Sequence, residues 1–275
     1  VLQVEHVRTG ERYALKILHR PLAAHRDVVE RFRAEVRVPA RVDSEHLVRV
    51  IDADVAPELD NQPFLVMELL EGEDLARRLQ RAGPLPVPKA LELCRQVGEA
   101  LQHAHERRVV HRDLKPANIY LCVHGGRPDF VKLLDFGVAK LLDGAQSYQS
   151  IVAAIIGTPA YMSPEQAQGE GAVIDGRSDQ FALAAILYEM LCGRPAFGLP
   201  GVGPLVTLAR VMNCEPEPLP LPDLWPVLRR ALSKAAADRF PSIADFLAAL
   251  AIVASDQALP PTLRESRSGA PATLQ

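Results

Sequence analysis

An α+β chain of two unequal lobes is predicted by three features of the 275-residue sequence. The first seventy residues read as short strands around one charged helical segment. Beyond Gly72 the apolar spacing changes to long helical periods. Between the first two of those helices, residues 110–170 form a loop-rich stretch holding nearly every chemically suggestive side chain. Residues 1–70 are thus expected to form a small antiparallel β lobe with one main helix. Residues 71–254 should form a larger, mostly helical lobe. Residues 255–275, rich in Pro, Ser, Thr and Arg and without periodicity, read as a disordered linker.

The elements follow in order. Residues 1–7 alternate, Arg8-Thr9-Gly10-Glu11 supplies a turn, and residues 13–18 resume the alternation, which predicts a hairpin. Residues 26–42 carry helical spacing with many charges. Two apolar runs of strand length, 47–53 and 64–69, flank a loop containing Pro and Asp, and residues 69–72 link the lobes. Helical spacing then predicts helices over 89–106, 178–192, 205–212, 225–236 and 243–254.

Bulk properties exclude several classes. Hydrophobic content of 48% and charged content of 24% are those of a soluble globular protein. A net charge of −3 gives no reason to invoke nucleic acid or an anionic membrane surface. Cys94, Cys122, Cys192 and Cys214 lack close paired spacing and read as reduced, buried thiols of an intracellular protein. No apolar run reaches the roughly 18 residues that span a bilayer. The chain starts inside a strand without an initiating methionine, which predicts a fragment or a mis-started product.

The chemistry concentrates in His111-Arg112-Asp113-Leu114-Lys115-Pro116-Ala117-Asn118 and the downstream Asp135-Phe136-Gly137. Asp113 can take the proton of an attacking hydroxyl, and Lys115 on the same loop can steady a phosphoryl group in flight. Asn118 and Asp135 offer hard oxygen ligands to Mg2+, which neutralises charge between the outer phosphates of ATP. Lys16 lies two residues from Ala14, so in a strand both face one side, a small residue against a flat base and a cation toward phosphates. His103, His105 and His111 read as packed or surface histidines.

Taken in order, Tyr13-Ala14-Leu15-Lys16, the 111–118 loop, Asp135-Phe136-Gly137, the 157–165 segment (Gly-Thr-Pro-Ala-Tyr-Met-Ser-Pro-Glu) and Asp179 give the chain its resemblance. From residue 1 to about 254 it resembles the eukaryotic-like protein serine/threonine kinases, most closely the bacterial branch. The resemblance implies the two-lobed protein kinase fold, transfer of the ATP γ-phosphoryl group to protein Ser/Thr hydroxyls in signalling, and catalytic roles for Asp113, Lys115, Asn118 and Asp135. It implies that Glu35 fixes Lys16, that Met67 is the gatekeeper, and that the Glu68 carbonyl and Leu70 N–H read the adenine edge. Val1 and Ala14 would line the nucleotide site, Asp74 would contact the ribose or cap a helix, and Tyr120 would form a narrower, more polar adenine floor.

By the same resemblance Arg112 marks a kinase whose activation loop, residues 143–156, is ordered by phosphorylation, with Ser150 the better acceptor. Thr158 would shape a shallow site for a short hydroxyl side chain. Glu165 should pair with Arg239, and Asp179 should cap the catalytic-loop backbone. Protein substrates, autophosphorylation and pairing of kinase domains are implied, as is a cytoplasmic location, in relatives often ahead of a membrane span and sensor. The sequence departs from the pattern in lacking the Gly-rich loop, whose terminal valine aligns with Val1, and in placing Pro39 four residues after Glu35. Two alternatives stand beside the kinase: a docking module with the fold but without turnover, and a small-molecule phosphotransferase. Lys115 and the 157–165 segment argue against the second.

Overall fold

A computed structural model describes residues 1–17, 42, 44–56, 62–135, 159–169, 172–199 and 201–258. Strands β1 (Leu2–Glu5) and β2 (Arg12–Ile17) form the predicted hairpin, with Gln3 opposite Ala14 and Val4 opposite Tyr13. Its connection closes through the His6 N–H on Glu11 O at 2.8 Å and the Gly10 N–H on His6 O at 2.9 Å. Strand β4 (Gln62–Glu68) lies between β2 and β3 (Val50–Ala56), giving an antiparallel order β1-β2-β4-β3. The alternation in β4 buries Leu65 and Met67. The helix expected over 26–42 lies outside the described residues apart from Val42.

The third strand begins later than residue 47. Leu47 instead forms a lone parallel bridge with Leu133, flanked by Val48 N–H on Leu133 O (3.0 Å) and Leu133 N–H on His46 O (2.7 Å). Those apolar residues are spent on the contact with the larger lobe, so sheet pairing starts at Val50.

The loop-rich reading of 110–170 needs correcting. It holds β6 (Ile119–His124) and β7 (Arg127–Leu133), joined through Gly125 and Gly126 and edged by the short β5 (Gly72–Asp74). Both strands are buried on both faces toward the core, so they lack the period-two signature. Gly72 is obligatory here: its φ is +157°, and a Cβ would stand 2.0 Å from Leu121 O. Helix α1 (Leu75–Ala82), unforeseen at eight residues, starts where Asp74 Oδ1 accepts the Arg77 N–H at 2.9 Å and stops at Gly83.

Helix α2 (Val87–Glu106) packs on α4 (Gly176–Cys192). Nearly all of α4 is buried on every side, including Ser178, Asp179 and Gln180 at its start, and it serves as the pillar of the lobe. Short α3 (Pro164–Gln168), then α5 (Pro204–Asn213), α6 (Trp225–Ala231) and α7 (Ile243–Ala258) surround it. Helix α6 ends five residues before the expected boundary because carbonyls 233 and 234 turn to Arg239 instead, whose Nε and Nη2 take them at 2.8 and 3.2 Å. Helix α7 runs four residues past 254, into the stretch expected to be tail; residues 259–275 lie outside the described residues. Cys94 and Cys122 are buried, but Cys192 and Cys214 are partly exposed, which corrects the uniformly buried expectation.

One buried ion pair ties α3 to the α6–α7 connection. Glu165 meets Arg239 through two bonds of 2.8 Å, with the Arg239 side chain fully buried, and also accepts from the Ser178 hydroxyl at 2.6 Å. Burial opposes ionisation of Glu165, yet the bonds from Arg239 and Ser178 outweigh it and hold the carboxyl below its ordinary range. Such a group stabilises above the unfolded pKa and stops doing so as pH falls through the folded one. Glu165→Gln should cost about 3–5 kcal/mol near neutrality. Thermal denaturation should show the gap to wild type narrowing as pH drops below about 4; a pH-independent gap would contradict the assignment.

Substituting Gly72 gives a second stability test. Gly72→Ala should lower the melting temperature by several degrees, since strained backbone and a clash with the Leu121 carbonyl have no cheap relief. Calorimetry indistinguishable from wild type would refute that.

Candidate active site

The site is built on a loop hung from a buried carboxylate. Asp179, at the start of α4 and 1% exposed, accepts the His111 N–H at 2.8 Å and the Arg112 N–H at 2.9 Å. Its third partner is His105 Nε2 at 2.8 Å, a contact with no local signal in the amino-acid order. The imidazole reaches it because residue 176 has no side chain: a Cβ there would stand 2.6 Å from His105 Nδ1. His105 is therefore more than a packed helix residue.

From that anchor the loop folds back on the strand end that carries Asp135. His111 is fully buried, with Nε2 3.0 Å from Leu134 O and Nδ1 3.4 Å from the Asp113 N. The Leu134 N–H donates to Asn118 O at 2.9 Å. Both ends of the loop thus grip the residue before Asp135. Arg112 (φ +64°) and Asp135 (φ +58°) both take the left-handed conformation. For non-glycine residues this costs on the order of 1–3 kcal/mol and persists only where surrounding bonds over-determine it.

Asp113, Lys115 and Asn118 form one bonded cluster. Lys115 Nζ is 2.8 Å from Asp113 Oδ2, and Asn118 Nδ2 donates to Asp113 O at 2.8 Å and Oδ2 at 3.2 Å. The amide hydrogens of Asn118 face Asp113, leaving its Oδ1 to turn elsewhere as a hard donor. Asp113 Oδ1 has no partner among the described residues, and the side chain is 43% exposed. Lys16 crosses from β2 to place Nζ 2.5 Å from Asp135 Oδ2. Asn118 and Asp135 thus present two oxygen donors of the kind a magnesium ion takes.

The strand leading out of the small lobe is fixed from below. Met67, opposite Ala14 in the register, is buried. Glu68 Oε1 meets Lys132 Nζ and the Arg49 N–H, each at 2.8 Å. Lys132, a buried cation on β7, was not singled out from the sequence; a strand lysine is ordinarily a surface residue. Leu70 lies between β4 and β5. Asp74 is the N-cap of α1 and also meets Arg77 Nε at 3.3 Å. The Tyr120 hydroxyl donates to Gly72 O at 2.7 Å, and Val1 is 83% exposed.

Of the 157–165 segment, Pro159–Tyr161 forms a 3-10 turn whose Tyr161 hydroxyl donates to Glu189 at 2.5 Å, burial pushing the Glu189 carboxyl up. Glu35, Pro39, Ser150 and Thr158 lie outside the described residues, so the expected Lys16–Glu35 pair does too. No helix among the described residues is long and apolar enough to cross a membrane.

Comparison with known proteins agrees with this geometry. Residues 1–203 match the protein kinase domain family. Serine/threonine-protein kinase Pkn1 of Myxococcus xanthus is 39% identical over 98% of this chain, which covers 38% of that protein. Serine/threonine-protein kinase PkaA of Streptomyces coelicolor is 40% identical over 89% of the chain, which covers 44% of it. The chain therefore spans less than half the length of these relatives. Among solved structures, the PknI kinase domain of Mycobacterium tuberculosis superposes with a TM-score of 0.66 at 31% identity, covering 91% of this chain and 89% of that one. With a matched family over most of its length and this bonded loop beneath a cross-lobe lysine, the chain belongs to the protein kinase family.

Proposed function

We propose that the chain transfers the γ-phosphoryl group of ATP to serine or threonine hydroxyls of proteins, a reading supported by relatives named serine/threonine-protein kinases. The observation that carries this reading is the convergence of Lys16 on Asp135, the residue after Leu134, whose carbonyl and N–H are held by His111 and Asn118.

In the step, a substrate oxygen attacks the γ-phosphorus, a P–O bond forms, and the bond to the bridging oxygen breaks with its electron pair leaving on ADP. Asp113 Oδ1 accepts the hydroxyl proton. Lys115 offsets charge on the phosphoryl oxygens, while Lys16 does so on the nucleotide side. Asn118 Oδ1 and Asp135 would hold a divalent cation, which when bound neutralises charge on the outer phosphates. The Glu68 carbonyl and Leu70 N–H are read as adenine contacts, with Val1, Ala14 and Tyr120 around the base; the Lys132–Glu68 pair fixes that strand end. Arg112 is read as the counter-ion of a phosphate at Ser150. Serine/threonine preference rests on Lys115 and Thr158.

Transfer of radiolabel from ATP with Mg2+ to a generic protein substrate tests this. Asp113→Asn should lower kcat by roughly 10²–10⁴-fold, the usual contribution of a general base. Lys16→Met should lower it by roughly 10²–10³-fold, as for loss of one electrostatic stabiliser. Equal labelling by wild type and both variants would sink the proposal. Lys132→Met should raise the KM for ATP more than it lowers kcat, since it leaves Glu68 without its cation beside the strand that would read adenine. An unchanged ATP KM would remove Lys132 from that role.

A further inference from the structure

We infer that Gln166 is a positioning residue for Asp113, acting through the peptide that joins Arg112 to Asp113. The inference rests on the reading of Asp113 as the proton acceptor. Gln166, the third residue of α3, has two separable attachments. Its Oε1 accepts from the Ser163 N–H at 3.1 Å and lies 3.2 Å from the Ser163 hydroxyl, which completes a capping box with Ser163 as N-cap. Its Nε2 reaches 54 residues back along the chain to donate to Arg112 O at 2.7 Å.

That carbonyl lies in the same peptide plane as the Asp113 N–H. The plane is held at its nitrogen end by His111 Nδ1 at 3.4 Å and at its oxygen end by Gln166. The preceding peptide is held by Asp179 through the Arg112 N–H at 2.9 Å. Arg112 therefore keeps its left-handed backbone because hydrogen bonds fix the peptides on both its sides. The His111 bond is long and the Asp179 bond acts one peptide earlier. Gln166 supplies the short, direct restraint on the peptide that aims Asp113. Helix α3 is itself anchored by Glu165, the neighbouring residue, on Arg239. The segment ending at α3 and the loop carrying Asp113 are thus coupled through one amide side chain.

Glutamate separates the two attachments. A carboxylate serves the capping box as well as an amide does, but it has no N–H for Arg112 O and sets an acceptor against an acceptor. Protonated, it can donate again.

The test compares Gln166→Glu, Gln166→Met and Asp113→Asn with wild type for kcat, ATP KM and melting temperature between about pH 4.5 and 8, a range that reaches down to ordinary glutamate titration. Because a misplacement of about 1 Å can cost ~10²-fold in rate, kcat of Gln166→Glu should fall roughly 10- to 100-fold at the high end. ATP KM and melting temperature should stay at wild-type values. The ratio of its kcat to wild type should rise as pH falls and the new carboxyl gains its proton. Hydrogen exchange at residues 111–113 should quicken in Gln166→Glu while α4 is unaffected. Wild-type kcat and exchange in Gln166→Glu would overturn the inference. So would a loss that tracks melting temperature equally in the glutamate and methionine variants and ignores pH. Undiminished activity of Asp113→Asn would instead strike the proton-acceptor reading itself, whatever Gln166 does.

Discussion

The burial of the Asp179 carboxylate is the constraint on which the site depends. A carboxylate 1% exposed must be satisfied, and its three acceptor bonds are taken by two successive loop N–H groups and one imidazole. The pillar helix α4 is thereby bolted to the loop, and the loop backbone has little freedom left. With the Arg112 carbonyl held in turn by Gln166, a left-handed Arg112 follows, and with it the direction in which Asp113 leaves the backbone. Removing such an acceptor strands donors that cannot reach water, at about 1–3 kcal/mol each.

The remaining bonds carry that rigidity outward. His111 passes it to the carbonyl of Leu134, and Asn118 takes the N–H of the same residue, so Asp135 is placed by the loop as well as by β7. Among the described residues the small lobe joins through the Leu47–Leu133 bridge with its flanking backbone bonds, through His46 against Val131 and Phe130, and through the pairs Glu68–Lys132 and Lys16–Asp135. The last two are ionic and partly exposed at one or both ends, which suits the nucleotide cleft proposed above. Within the larger lobe, Arg239 fills the space between α3, α4 and the α6–α7 connection. It binds Glu165 and the carbonyls of Arg177, Ser233 and Lys234.

Much of the fold was legible because its elements keep clean periods. The β1–β2 hairpin and the helices α2, α4, α5 and α7 have apolar spacing strong enough to be read within a few residues. The β6–β7 hairpin was not, because Leu121, Phe130, Val131 and Leu133 are buried without alternation and look like an irregular apolar loop. Helix α1 is too short for its period to register. The site was legible as a set of residue types: Asp113, Lys115, Asn118 and Asp135 stand in an order that few other chemistries need. His105, Lys132 and Gln166 were not, since each is an ordinary helix or strand residue whose partner lies 54 to 74 positions away.

The amino-acid order alone placed two carboxylates, a lysine and an asparagine at the spacing we read as that of phosphoryl transfer, in a chain with one β-rich and one helical lobe. Such spacing is a local property, preserved however the chain folds. Only the tertiary structure decided which peptide planes are held and in what direction. Those restraints are single hydrogen bonds between residues remote in sequence, and they exist only once α4 is buried and its carboxylate must find donors.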